Sequence, residues 1–572
     1  GLHIDQASAR GSVSSVYMRG GDPNFTVVLI DGVKVNDPTN SRGGSFDFST
    51  LNTENIERIE IVRGPLSAVY GSDAMSGAIN IITRQGQAKA TRQVEVAGGR
   101  YEYLRLAAEV QGMVGVMDYA ARVAYVDNGE PVEQSEFDNI TLYTNLGTPL
   151  ADNMELRWVL RYADSDSEAF PDFSGGPDLA VIREVEERDI QELTLGFNLT
   201  HEPFSWWTYH FQLGIYNRSE DVTSPGVAPG EGNPFSRIPP SSTDATFWRY
   251  DLNLRNVFPI VQGVQVALGA QLQIEDGTSK GSQDLTAFGF GVVSTNFELT
   301  RDIWAPFFEI QLTLVPGLMI LGGVRVDIPE GFDAEVSPRL GAAYTIATTN
   351  TTLRANWGEG FKLPSFFALG FPPPVGNPDL VPETSWSVDA GVTQILWGER
   401  VSVSATYFYN EFDHLIDFDT AAFQLVNRDA VSTAGVEMSL MVQPWPVFDF
   451  TAHLTYVKTD IKGTDAELRN RPQWRGGAAV RWRPKPAFDL TLRGLVVGDI
   501  LDASNASMTA SNPTGEQMLD AYVRFDFAAT WRLNTTWQFF LAVDNLFDAD
   551  YEEAIGFPAP GIRPRGGVRA RL

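Results

Sequence analysis

From about residue 91 onward, apolar and polar residues alternate in segments of roughly 10 to 14 residues, the period that sends successive side chains to opposite faces of an extended strand. Val94, Val96, Leu104, Leu106 and Ala108 fall on one face, with Glu95, Arg105 and Glu109 between them. The connections alternate as well. Short ones, rich in turn formers, lie at 112–116, 149–153, 201–204, 259–262, 315–317, 347–349, 398–399, 444–446 and 533–535. Long ones lie at 127–138, 164–189, 221–245, 276–300, 358–383, 499–519 and 548–567. Loops of this length are uncommon in compact soluble domains, whereas a membrane barrel has short turns on its inner side and long loops on its outer side. The pattern predicts an all-β transmembrane fold, an antiparallel barrel of about 22 strands over residues 87–572. A soluble solenoid, propeller or sandwich array is the alternative, and no repeat of fixed period supports it.

Residues 1–86 break the pattern. Val27–Ile30 runs into Asp31-Gly32, 56–62 runs into Arg63-Gly64-Pro65, and an apolar run at 78–82 follows Gly77. Short apolar strands ending in glycine turns predict a small mixed domain ahead of the barrel. A barrel this wide would leak if its lumen were empty, so the expected place for that domain is inside it. Tryptophans and tyrosines gather near the inferred strand ends, among them Trp206, Trp207, Trp248, Tyr250, Trp304, Trp397 and Trp531, at the level where amphipathic rings meet lipid headgroups.

Composition narrows the chemistry. The chain has no cysteine, which removes disulfides, thiolate metal sites and cysteine nucleophiles. The five histidines show no zinc-binding spacing. No nucleophile elbow or phosphate-binding loop is present, so no enzymatic activity is expected. With 43 basic and 72 acidic residues the net charge is −29, which opposes binding to nucleic acid. No apolar stretch is long enough for a transmembrane helix. Gly1 is not preceded by a signal-like leader, so any export signal is expected to lie outside this sequence.

Several motifs together resemble the TonB-dependent outer-membrane transporters over essentially the whole chain. The plug signature is carried by 17–20 (YMRG), 28–33 (VLIDGV), 56–65 (IERIEIVRGP), 68–74 (AVYGSDA) and 77–83 (GAINIIT); the barrel adds 337–341 (SPRLG), 377–383 (NPDLVPE), 435–437 (GVE) and 543–548 (VDNLFD) with Tyr551. The plug is most similar to the cobalamin and catecholate-siderophore branch. The resemblance implies bacterial outer-membrane localisation, a monomeric barrel among outer-membrane lipid and lipopolysaccharide, and active uptake of a scarce metal chelate. A ferric siderophore is expected first and cobalamin second, with a passive porin as the contrasting class. It implies energy from the TonB-ExbB-ExbD complex through a coupling box ahead of this chain, whose plug is therefore expected to be truncated at its N-terminus. The family typically ends in an aromatic residue, where this chain has Leu572.

The resemblance also nominates Arg19 and Arg63 as plug arginines paired with two wall carboxylates, Glu383 and Glu437. A guanidinium held between plug and wall would need such partners, the alternative being ordinary solvated lumen charges. Turns facing the outer mouth nominate Asp22, Asn24, Phe25, Asn36, Asp37, Arg42 and Asp47 as ligand contacts. Phe361, Phe366, Phe367 and Phe371 either form an aromatic lip for a chelate or pack upon their own loop. No cofactor is required. The acidic run Asp164, Asp166, Glu168, followed by Asp172 and Asp178, reads either as a calcium site in the outer loops or, more simply, as a solvated acidic loop without EF-type glycine spacing.

Overall fold

Because every backbone polar group must be satisfied in hydrocarbon, an alternating chain of this kind has one stable solution, a closed sheet. The computed structural model describes residues 2–6, 11–231, 233–419, 422–428, 430–464 and 466–572. Over these residues 22 strands, from Thr91–Gly99 to Arg563–Arg571, form a continuous antiparallel barrel, and the last strand pairs with the first to close it. Val94, Val96, Leu104 and Leu106 face outward and are exposed, while Glu95 and Glu109 turn inward. There Glu95 meets Arg105 at 2.7 Å and Glu109 meets Arg122 at 2.7 Å. Stacked rings mark the ends with short turns: Phe204 on Trp206 at 5.3 Å, and Phe488 on Trp531 at 6.1 Å.

Several strands run further than their apolar alternation does. Ser241–Val261 and Val264–Asp284 have 21 residues each, about twice what crosses a bilayer, and the strand Met154–Ala169 consumes the first part of the expected loop at 164–189. Lipid contact ends where alternation of hydrophobicity ends, but cross-strand hydrogen bonding needs no lipid. The wall therefore rises beyond the membrane as polar strand.

The domain ahead of the barrel has its core in a four-stranded mixed sheet in the order Val33–Lys34, Thr26–Ile30, Gly77–Thr83, Ile56–Arg63; its final strand ends at Thr83 and the barrel begins at Thr91. Thr26–Ile30 and Gly77–Thr83 run parallel. Gly77 is required where they start, since its φ is +152° and a Cβ would lie 2.3 Å from the Val62 carbonyl oxygen. Val28, Ile30, Ile79 and Ile81 share one buried cluster with Tyr216, Phe247 and Phe297 of the wall. The small domain thus sits inside the lumen as a plug.

Candidate functional site

The plug is attached to the wall by charge. Strand Ser14–Met18 is followed by Arg19, whose left-handed φ of 52° turns the chain and aims its side chain at the wall. Arg19 is 5 % exposed; its Nη2 lies 3.0 Å from Glu437 and its Nη1 3.3 Å from Asp389. Its guanidinium covers the Phe408 ring at 4.8 Å, and its carbonyl oxygen accepts from Thr433 Oγ1 at 2.9 Å. Arg63, more open to the lumen, places Nε 3.2 Å from the same Glu437. Glu383 does not join them. It is buried against Lys362 Nζ at 3.2 Å and accepts from the Ile416 backbone N–H at 2.9 Å. Asp389 takes the expected place of Glu383, three alternations further along strand Glu383–Leu396 and deeper in the lumen, level with Arg19. The inward phase of that strand identifies Asp389 as lumen-facing, but not as the residue opposite Arg19.

A second contact ties plug loop to wall end. Lys34 Nζ lies 2.7 Å from Asp73, whose N–H donates to the Phe361 carbonyl at 3.2 Å, and Ser72 Oγ accepts from Leu363 N at 3.1 Å. Burial pushes the Asp73 carboxyl up, but Lys34 and Lys362 outweigh it and hold it well below the usual carboxylate range. Burial lowers the Lys34 ammonium, and Asp73 offsets part of that.

Many of the expected ligand contacts turn out to be framework. Phe25 is buried and stacks on Phe412 at 5.3 Å. Asn36 is buried, accepting from Val28 N at 2.8 Å and donating to the Thr26 and Gly44 carbonyls. Asp37 accepts from Thr39 and lies 3.2 Å from Arg218 of the wall. Asp47 caps a short turn through Ser49 N and accepts from Ser14 N, each at 3.0 Å. Phe361 packs with Ile303 and Leu363, and Phe366 is buried in the plug–wall core. Loop geometry explains the difference: these side chains hold the turns whose tips reach the mouth. Nearer the mouth are half-buried Asn24, Asp22 paired with Arg471, and Arg42 paired with Asp172 of an outer loop. Phe367 and Phe371 pack on each other at 4.8 Å, and Phe367 N donates to Pro38 O at 3.1 Å, so the lip leans on its own loop and on the plug.

The acidic run does not converge on one point. Asp164, Asp166 and Glu168 lie on a strand and share its outward face, roughly 7 Å apart at successive alternations, too far for one calcium ion with oxygens near 2.4 Å. Asp166 sits in register with Asp138 and Asp189, part of a row of outward aspartates that continues to Asp221 and Asp244. Asp172 turns instead to Arg42, and Asp178 is exposed on the short helix Gly176–Leu179. Among the described residues no three metal-ligating side chains gather.

A chamber that alternation did not reveal lies between plug residues 48–53 and the seam where the barrel closes. It measures about 550 Å³ and is roofed by residues of the outer loop 551–561. Arg105, Arg493, Arg524, Arg563 and Arg565 line it, against the carboxylates of Asp526, Asp544 and Glu553. The arginines at 563, 565 and 569 stand on one face of one strand, a legible sign of an inward charged face. The chamber itself depends on how the plug sits.

A closed 22-strand wall, occluded by a plug that ion pairs hold in place, defines a gated transport protein of the bacterial outer membrane. The family model described as "TonB dependent receptor-like, beta-barrel" matches residues 127–546 and that described as "TonB-dependent Receptor Plug Domain" matches residues 1–78; the chain belongs to the TonB-dependent receptor family. It is similar to the vitamin B12 transporter BtuB of Photobacterium profundum, 25% identical over 565 residues, covering 95% of this chain and 83% of the relative. A vitamin B12 transporter BtuB of Vibrio vulnificus is 24% identical over 97% of this chain and 84% of its own. Among solved structures, the ferripyoverdine receptor of Pseudomonas aeruginosa superposes with a TM-score of 0.83 at 16% identity, covering all of this chain and 83% of that one. The siderophore receptor PirA of Acinetobacter baumannii gives 0.79 at 16% identity, covering all of this chain and 94% of that one. TonB-dependent transport across the outer membrane is therefore this chain's activity, and its family is one of transporters and receptors rather than enzymes.

Proposed function

We propose that the cargo is a scarce metal chelate, a ferric siderophore in the first reading. The observation that carries this is the plug, seated in the lumen by ion pairs and small packed clusters rather than by any covalent tie beyond its own chain. Such a plug blocks passive flow, yet a pull from the periplasmic side can rearrange it, so passage can be coupled to energy. The contact between Arg19, Glu437 and Asp389 serves as the latch. Phenyl and guanidinium groups near the mouth, Phe367, Phe371 and Arg42, support an aromatic oxygen-donor chelate as the molecule first met. Cobalamin is the second reading, favoured by the two curated relatives, which are vitamin B12 transporters.

The test is growth of a host lacking its own receptors and carrying this chain, limited either for iron with a supplied ferric siderophore or for cobalamin. Rescue in the first condition alone supports the siderophore; rescue in the second alone reverses the order. High ohmic conductance of the purified protein in planar bilayers, with no rescue, would establish a passive porin instead.

A further inference from the structure

Charge inside the plug-side chamber differs from charge on the chain as a whole. The protein carries −29 overall, yet five guanidinium groups face three carboxylates here. Three of the arginines already have carboxylate partners: Arg105 with Glu95 at 2.7 Å, Arg524 with Asp526 at 3.2 Å, and Arg565 with Asp544. Arg563 donates to the side chain and carbonyl of Asn128. Arg493 makes no ion pair or hydrogen bond among the described residues, although its side chain is open to the chamber. It stands opposite Asp526 in the sheet, but that carboxylate is occupied by Arg524 and by the Asn545 backbone N–H at 3.0 Å. Two further donors on the chamber wall, Arg565 Nε and Asn128 Nδ2, are buried with no acceptor among the described residues. An uncommitted cation and unused donors around about 550 Å³ of polar space, within the range of small-molecule sites, suit a ligand bearing anionic oxygens.

We propose that this chamber is a binding station for an anionic, oxygen-donor metal chelate, with Arg493 as the residue that reads its charge. The proposal rests on the reading of the protein as an active chelate transporter and adds to it the sign of the cargo and a place beside the plug. The roof must move for a chelate to enter. It is held by Ile555 N donating to Asp502 at 2.8 Å and by Phe557 packed with Phe170 and Ala180, contacts between outer loops that can open without disturbing the wall.

The experiment uses the full chain in detergent and three probes: a trianionic ferric tris-catecholate, a ferric trihydroxamate made cationic by a free amine, and cyanocobalamin. Binding is measured by equilibrium dialysis. It is measured again by quenching of a fluorophore on Thr53→Cys, the only thiol in a chain without cysteine, placed on the chamber wall. The tris-catecholate is expected to bind tightest and to weaken with salt. Arg493→Gln should cost about tenfold or more, one charge-assisted bond. Arg493→Glu should cost more still, Arg493→Lys should retain most of the affinity, and Arg354→Gln, far from the chamber, should change nothing. Unchanged tris-catecholate affinity in Arg493→Glu overturns the proposal, as does equal binding of the cationic chelate or cyanocobalamin, or equal displacement by inorganic phosphate; each leaves the transporter reading standing. Absence of binding by all three probes together with an open conductance overturns both.

Discussion

Neutralising Glu437 is the sharpest test of how the plug is held. In Glu437→Gln the nearly buried Arg19 loses its 3.0 Å carboxylate partner and keeps Asp389 at 3.3 Å, while Arg63 loses its 3.2 Å contact. Removing one partner from a buried pair costs about 3–5 kcal/mol. Two features reduce that figure: Asp389 still compensates Arg19, and Arg63 is 36 % exposed, so its share is screened. About 2–3 kcal/mol should remain, or roughly a 30- to 150-fold rise in the population of loosened plug. The assay is the urea concentration at which single barrels in a planar bilayer begin to conduct, with hydrogen exchange of Ser14–Met18 as a second readout. A double-mutant cycle with Arg19→Gln isolates the pair and should give a coupling of about 2 kcal/mol. Glu383→Gln serves as the contrast. It unsettles Lys362 and the rim of the wall while coupling to Arg19 by less than about 0.5 kcal/mol. A larger coupling of Arg19 to Glu383 than to Glu437 would refute this account of the latch.

Further predictions address the plug, the lip and the acidic run. Because Asp73 titrates below its unfolded value of about 4, its stabilising contribution is full above that pH and is lost as pH falls through the lower folded value. Hydrogen-exchange protection of the plug should therefore hold from pH 7 to 5 and decline toward pH 3, and Asp73→Asn should remove that acid dependence. Phe366→Ala should lower stability by about 3–5 kcal/mol, as for a buried aromatic ring, leaving chelate affinity nearly unchanged in calorimetry; a selective loss of affinity would return Phe366 to the ligand site. Calcium should leave exchange at 170–185 unaltered, and a tight calcium isotherm abolished by Asp166→Asn would contradict the strand geometry.

Much of this architecture follows from the order of residues alone. Alternation assigns Val94 to lipid and Glu95 to the lumen before any fold is drawn, because a strand has only two faces and hydrocarbon accepts only one kind of side chain. The alternation of short and long connections orients the barrel, and the plug motifs supply its occupant. What alternation cannot convey is depth and partner. Glu383 and Asp389 share one face of one strand, and only the seat of the plug decides that Arg19 meets the deeper of them. Asp164, Asp166 and Asp172 are neighbours in sequence, yet strand extension and the Arg42 contact send them apart. The chamber at the seam exists because two surfaces fail to touch, and the empty space between separately encoded pieces is a property of their packing, with no residue of its own to announce it.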